Sequence, residues 1–156
     1  MELIDGNKVA KEIKEEIKIK ALQIKQKCGR APHLAAILVG NDPGSESYVN
    51  YKMKDCEEVG FESSLIRLEE NAAEEELYKI IDKLNSDPLI DGFIVQLPLP
   101  KQFDSQKVIE LIDPQKDVDG FHPINVGKMT IDLDSFKSAT PMGITILLNK
   151  YGIETS

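Results

Sequence analysis

Apolar residues recur every three or four positions along the first part of the chain, with Lys, Glu and Gln between them. This spacing predicts an amphipathic helix over 7–28. Its inward stripe consists of Val9, Ile13, Ile17, Ala21, Ile24 and Cys28. Asn7 is the expected N-cap, and Gly29 is expected to end the helix in the left-handed conformation. The apolar run HLAAILVG then begins at His33. A continuous run of strand length is typical of a parallel strand that is covered on both faces.

The rest of the chain continues to alternate between helices and strands. Further strands are expected in FESSLIRL and at 93–95, and further helices at 45–59, after an Asn71/Glu74 capping box, at 105–112 and from TPMGI onward. This order predicts an α/β fold with an open, largely parallel sheet flanked by helices, in three layers. Tyr151-Gly152-Ile153 after the last predicted helix is typical of a chain that continues, so we expect one domain of a longer protein.

Composition and charge narrow the classes of function. The chain has 19 Lys and Arg against 27 Asp and Glu, a formal net charge of −8, which argues against nucleic acid or an anionic membrane as a partner. No apolar run approaches the roughly 20 residues of a membrane span, and the N-terminus lacks a signal-peptide layout. A cytoplasmic location is therefore expected. The two cysteines lack CxxC spacing and are interpreted as buried and reduced. With two histidines, no metal site is expected.

An amide, Gln96, stands at the end of the third predicted strand. In open α/β sheets, ligands bind at the carboxyl ends of the strands. An amide there can donate and accept hydrogen bonds without bringing a charge into a dry pocket. The sequence Leu97-Pro98-Leu99-Pro100 cannot readily continue a central strand and would form a stiff apolar wall beside the amide. The alternative, with equal weight, is a strand-end residue that bonds to a neighbouring loop.

Tyr48 and Lys52 are four positions apart on the helix that follows the first strand. Their side chains therefore share one face near the same sheet edge as Gln96. A lysine held partly desolvated beside an aromatic ring can act as a proton acceptor. The alternative is a surface lysine that lies over a tyrosine. Short-chain dehydrogenases also contain YxxxK, but GNDPG is not their glycine-rich nucleotide turn, and Ser45 lies too near Tyr48.

The segment KDVDGFHP contains the alternating pair Asp117 and Asp119. Alternation predicts that at least one of the two points into the cleft that this loop borders. Two carboxylates without further oxygen ligands make a poor metal site. A single carboxylate aimed at the N–H groups of a ligand is the functional interpretation, and a turn built by Asp and Gly is the structural alternative.

Four segments together resemble one family, the bifunctional methylenetetrahydrofolate dehydrogenase/methenyltetrahydrofolate cyclohydrolases. They are SYVNYKMKDCEEVGF, LNSDPLIDGFIVQLPLP, DPQKDVDGFHPINVGK and ATPMGI. They occur in the family's order and spacing, and the resemblance covers nearly the whole chain. It implies one-carbon folate metabolism, in which 5,10-methylene-, 5,10-methenyl- and 10-formyltetrahydrofolate are interconverted. Tetrahydrofolate derivatives are the partners that it implies.

The resemblance also implies roles for individual residues. Lys52 would be central to the cyclohydrolase step, and Gln96 would assist it. Tyr48 would stack against the folate ring system, and Asp119 would hydrogen-bond the amino-pyrimidine edge of the pterin. The remaining residues expected to line the substrate pocket are Ser45, Val95 and Leu97.

Members of the family continue into a Rossmann domain that binds NADP or NAD, and these 156 residues contain no glycine-rich fingerprint. The resemblance therefore implies that residues 1–140 form the folate-binding catalytic domain and that residues 141–156 begin a helix that connects to the Rossmann domain. NADP or NAD is therefore expected to act in a longer parent protein, which would be a homodimer, and neither is expected to bind this chain. Two other classes of function stay open. One is a non-catalytic small-molecule binding or regulatory module with the same fold, and the other is a Schiff-base lysine enzyme.

Overall fold

A parallel sheet forms the centre of the computed structural model, which describes residues 3–154. Within that range the strands have the order β2-β1-β3, with β1 at His33–Val39, β2 at Glu62–Leu68 and β3 at Gly92–Val95. The helices are α1 (Gly6–Cys28), α2 (Pro43–Val59), α3 (Glu74–Ser86), α4 (Ser105–Glu110), α5 (Pro123–Thr130) and α6 (Ala139–Lys150). The order of strands reverses between β1 and β3, which is where open α/β sheets bind ligands.

The central strand β1 is covered on both faces, as its unbroken apolar sequence predicts. On one face Ala35, Ile37 and Val39 join a core with residues of α3 and α4. On the other face Ala36 and Leu38 pack with residues of α2. The predicted three-layer α/β fold is confirmed, because helices cover both sides of a parallel sheet.

Some details of the predicted helix caps and of the predicted burial are wrong. Helix α1 is capped by Asp5, whose carboxylate accepts from the backbone N–H of Lys8 at 3.0 Å, and not by Asn7. Helix α3 has Ala73 at its N-cap and no side-chain cap, so the expected capping box does not form. Of the two cysteines, Cys56 is buried but Cys28 is exposed, because the last turns of α1 extend beyond the surface that buries Val9 and Ala21.

Helix α5 is an element that the sequence pattern did not reveal. His122 caps it, since its Nδ1 accepts from the backbone N–H of Ile124 at 3.1 Å, and Pro123 occupies the first turn. A proline fits there because its fixed φ suits a helix and no N–H is needed. Helix α6 confirms the helix expected from TPMGI. No helix within residues 3–154 has both the length and the apolar character of a membrane span.

Candidate functional site

Helix α2 brings Lys52 to the carboxyl edge of the sheet. Val49 is fully buried against β1, and Met53 packs on the same cluster, which fixes the rotation of the helix. Lys52 follows Val49 by three positions, at the margin of this buried face, and its side chain is 36% exposed. Tyr48 is 67% exposed. A phenol with so much free surface can offer its ring to a flat ligand.

The KDVDG loop runs beside β3. Phe93 pairs with Asp117 in a parallel bridge, and the Phe93 N–H donates to the carbonyl oxygen of Lys116 at 2.9 Å. The Lys116 ammonium donates to two carbonyl oxygens at the end of α3, those of Leu84 at 2.8 Å and Asp87 at 2.7 Å. Cations are favourable at this end of a helix. The loop is therefore fixed to the sheet and to α3 at once.

The two aspartates of this loop have different surroundings. Asp117 is buried, and its carboxylate accepts from the backbone N–H of His122 at 2.8 Å and from the Asn125 amide at 2.9 Å. Asp119 instead faces Lys52, with 3.6 Å between its Oδ1 and the lysine Nζ. The Asp117 carboxylate is thus already hydrogen-bonded inside the fold, whereas Asp119 is the carboxylate that a ligand can reach.

The environment of Asp119 opposes its ionisation. Burial raises the pKa of the Asp119 carboxyl group, Lys52 counteracts this increase, and Asp117 adds to it. The side chain is 22% exposed. Carboxyl groups with a pKa shifted by burial and a specific charged neighbour are frequent in functional sites.

Asp119→Asn is expected to raise the midpoint of thermal unfolding at pH 7. A carboxyl group whose pKa is higher in the folded state than in the unfolded state costs stability once the pH exceeds the unfolded pKa. The gain from Asn should therefore shrink as the pH falls below the usual pKa range of a carboxyl group. Scanning calorimetry at pH 7 and pH 3 measures both effects. A variant that is less stable than the original chain at pH 7 would contradict this description of Asp119.

The backbone of Gln96 adds one hydrogen bond to the pairing of β3 with β1, and its side-chain amide bonds to the next residue. Its N–H donates to the carbonyl oxygen of Ile37 at 2.9 Å, and its Nε2 donates to that of Leu97 at 2.6 Å. Its Oε1 is buried and has no hydrogen-bond partner among the described residues, and the same holds for the Oγ of Ser45. Buried polar atoms without partners are rare, and a bound ligand can satisfy them.

The apolar sequence after Gln96 borders an open cavity at this edge. The cavity has a volume of about 330 Å³ and is lined by Val39, Gly40, Asn41, Asp42, Glu70, Pro98, Leu99 and Pro100. Val95 is buried in the core, and Leu97 is half-buried. Of the predicted site residues, the structure brings Lys52 and Asp119 into contact, while Tyr48 stays largely exposed.

The family of this chain follows from its sequence. The family model described as tetrahydrofolate dehydrogenase/cyclohydrolase, catalytic domain, matches residues 4–119. The chain belongs to this family. Within the family, the bifunctional protein FolD of Porphyromonas gingivalis is 59% identical over 153 residues, which are 98% of this chain and 52% of the relative. The bifunctional protein FolD of Bacteroides thetaiotaomicron is 58% identical, over 100% of this chain and 53% of the relative.

Solved structures of the family have the same fold. The bifunctional FolD methylenetetrahydrofolate dehydrogenase/cyclohydrolase of Campylobacter jejuni superimposes with a TM-score of 0.95 at 45% identity, over 98% of this chain and 54% of the other. The Trypanosoma brucei dehydrogenase-cyclohydrolase, solved with NADP cofactor and an inhibitor, gives a TM-score of 0.93 at 31% identity, over 98% and 52%. The chain thus spans about half the length of the relatives that it matches.

Proposed function

We propose that this chain provides the folate site of an enzyme that interconverts 5,10-methylene-, 5,10-methenyl- and 10-formyltetrahydrofolate. The contact between Lys52 and Asp119 is the observation that carries this proposal. The two residues come from separate elements, α2 and the loop beside β3, and meet where the strand order reverses. Membership of the tetrahydrofolate dehydrogenase/cyclohydrolase family supports the same substrate class.

Lys52 is the proposed proton acceptor of the cyclohydrolase step. The methenyl substrate is an amidinium cation, and water adds to its bridging carbon. As the new carbon–oxygen bond forms, a neutral lysine amine can take the proton of that water, whereas a permanently charged arginine could not. Nearby positive charge on the substrate disfavours the protonated amine. Ring opening then breaks one carbon–nitrogen bond as the added hydroxyl loses its proton and becomes the formyl carbonyl. The released nitrogen takes up a proton, so one proton is released overall.

Asp119 is the proposed group that recognises the pterin. The amino-pyrimidine edge of a pterin presents two neighbouring N–H donors, which a carboxylate can accept together. These bonds favour the ionised carboxylate, which burial alone disfavours. The ligand would therefore relieve a cost that the free chain carries at this residue.

Gln96 and Tyr48 complete the proposed site. The unpartnered Oε1 of Gln96 can accept a hydrogen bond from the attacking water or from the lysine without supplying a charge. The exposed ring of Tyr48 offers a flat face on which the folate rings can stack. We further propose that Ser45 and Leu97 line this pocket, together with the backbone of Val95, whose side chain is buried in the core.

The turn after β1 does not fit a dinucleotide. Pro43 supplies no N–H, and the Asp42 carboxylate already accepts from the backbone N–H of Ser45 at 2.7 Å. This bond lowers the pKa of Asp42, so a negative charge occupies the place where a pyrophosphate would bind. We therefore assign NADP or NAD to a part of the complete enzyme other than this turn. We also propose that the complete enzyme is a homodimer.

Titration of the chain with tetrahydrofolate tests this proposal. We expect saturable binding that Asp119→Asn weakens by about tenfold or more, because one neutral amide oxygen replaces a charged bidentate acceptor. Asp82→Asn, which removes an exposed charge on α3, is the matched control and should bind like the original chain. Equal affinity in the original chain and in Asp119→Asn would contradict the role of Asp119. An absence of binding would contradict the proposed site.

A further inference from the structure

The side chain of Asn125 lies deep in the fold although it belongs to a short helix at the surface. The residue is 2% exposed. Its amide nitrogen donates to the carbonyl oxygen of Pro114 and to Oδ2 of Asp117, both at 2.9 Å. One side chain of α5 therefore joins the segment just before the KDVDG loop to the buried carboxylate of Asp117.

The donors around Asp117 hold its carboxylate in one orientation. Oδ2 accepts from the His122 N–H at 2.8 Å and from Asn125, and Oδ1 accepts from the Phe121 N–H at 3.3 Å. A buried carboxylate is costly unless such donors surround it. The His122 and Phe121 bonds come from the backbone next to the start of α5, whereas the Asn125 bond comes from within the helix. Asn125 is thus the side chain that fixes α5 to this carboxylate.

The residues on either side of Asp119 are restrained as well. Val118 packs on the core beside α2, and it lies so close to Gly92 that a Cβ on that glycine would clash with it. Gly120 adopts a positive φ of 69° and lies against the backbone of 136–138. Asp117 is thus held by Asn125, and Val118 and Gly120 are packed against other parts of the chain. These restraints on the loop determine the position of the Asp119 carboxyl group.

We propose that Asn125 is a positioning residue, which holds Asp117 and the KDVDG loop so that the Asp119 carboxyl group stays against Lys52. Asn125 itself is not assigned any contact with substrate. The inference rests on the proposed function, in which Asp119 recognises the pterin. It adds α5 to the parts of the chain that determine folate affinity.

The experiment compares Asn125→Leu with the original chain in two measurements. Leu has the same number and branching of side-chain heavy atoms but donates no hydrogen bond, so Asp117 would lose a partner and the loop would shift. Without ligand, we expect the pKa of the Asp119 carboxyl group, followed by NMR of carbon-13-labelled aspartate, to fall toward the ordinary value, because burial is what raises it. With tetrahydrofolate, we expect about tenfold weaker binding.

Two further variants separate positioning from loss of stability. Val108→Ala opens a cavity beside α4, in the core on the other face of the sheet, and should destabilise the chain without changing either measurement. Asn125→Ser is used if the leucine variant does not fold. Serine is polar but too short to reach both Pro114 and Asp117, so the same fall in the Asp119 pKa and the same weaker binding are expected.

The outcomes distinguish this inference from the proposed function. A lowered Asp119 pKa together with weaker tetrahydrofolate binding supports it. If the original chain binds tetrahydrofolate and the Asn125 variants keep both properties, Asn125 has only a structural role and the inference is overturned. If the original chain does not bind tetrahydrofolate, the proposed function fails and this inference fails with it. Equal changes in Val108→Ala would also overturn it, because stability alone would then explain them.

Discussion

Lys52→Met is expected to reduce the hydrolysis of 5,10-methenyltetrahydrofolate by about 100-fold or more. A positioned general base contributes roughly 10²–10⁴ to a rate, and methionine retains the length of the side chain but cannot accept a proton. The rate is measured in the complete enzyme as the decay of the methenyltetrahydrofolate absorbance. Binding of tetrahydrofolate should change much less, because Asp119 and Tyr48 remain.

Lys54→Met is the matched control for this experiment. Lys54 lies on the same helix, two positions further along, and is exposed. Lys54→Met removes the same charge and introduces the same side chain as Lys52→Met, but it should leave the rate of hydrolysis unchanged. Undiminished hydrolysis in Lys52→Met would remove this lysine from the mechanism. An original enzyme that binds folate but shows no hydrolysis would instead favour a non-catalytic binding module.

Gly120→Ala is expected to lower the free energy of unfolding by at least about 2 kcal/mol. Gly120 has a φ of 69°, which costs a residue with a side chain about 1–3 kcal/mol. An added Cβ would also come within 2.8 Å of backbone atoms of Lys137 and Ser138. Backbone cannot rotate away as a side chain can, so the loop and the segment before α6 would have to move apart. Urea unfolding followed by circular dichroism measures the change.

The control for this prediction is Gly127→Ala within α5. A Cβ at Gly127 meets nothing within 4 Å, and alanine favours a helix over glycine by about 1 kcal/mol. We therefore expect Gly127→Ala to be neutral or stabilising. A loss below about 0.5 kcal/mol in Gly120→Ala, within the usual range of surface substitutions, would show that the contact between 120 and 136–138 does not constrain this loop.

The apolar pattern was sufficient to predict the layers of the fold. An unbroken apolar strand such as His33–Val39 must be covered twice, and the helices between the strands supply both covers. The pattern does not encode which strands are neighbours. That β1 lies in the centre, between β2 and β3, is a result of long-range packing. It is this order that brings the loops after β1 and β3 to one crevice.

The sequence predicted candidate site residues but not the environment of each one. Alternation of Asp117 and Asp119 predicted that at least one of them would face a cleft, but not which one. The choice depends on α5 and its N-cap, because the His122 N–H and the Asn125 amide both donate to the carboxylate of Asp117. Helix α5 was missed because it is short and lacks an apolar repeat, although a proline after a residue that can cap a helix, His122-Pro123, is a usable signal.

The errors at the two ends of α1 have separate physical reasons. Asp5 and Asn7 are both good N-cap residues, and the choice between them depends on where α1 first packs, which the sequence does not state. In the same way, an apolar stripe predicts burial only as far as a partner surface extends. Ile24 continues the stripe of α1 but is 43% exposed, and Cys28 lies one turn further on.

A crystal structure of the chain with tetrahydrofolate is the most direct measurement of the central claim. We expect the pyrimidine edge of the ligand within hydrogen-bonding distance of the Asp119 carboxylate. The ring nitrogens that carry the one-carbon group should lie between the side-chain nitrogen of Lys52 and the Gln96 amide. A ligand bound elsewhere, or a Lys52 nitrogen separated from the Gln96 side chain with no space for a folate between them, would contradict the account.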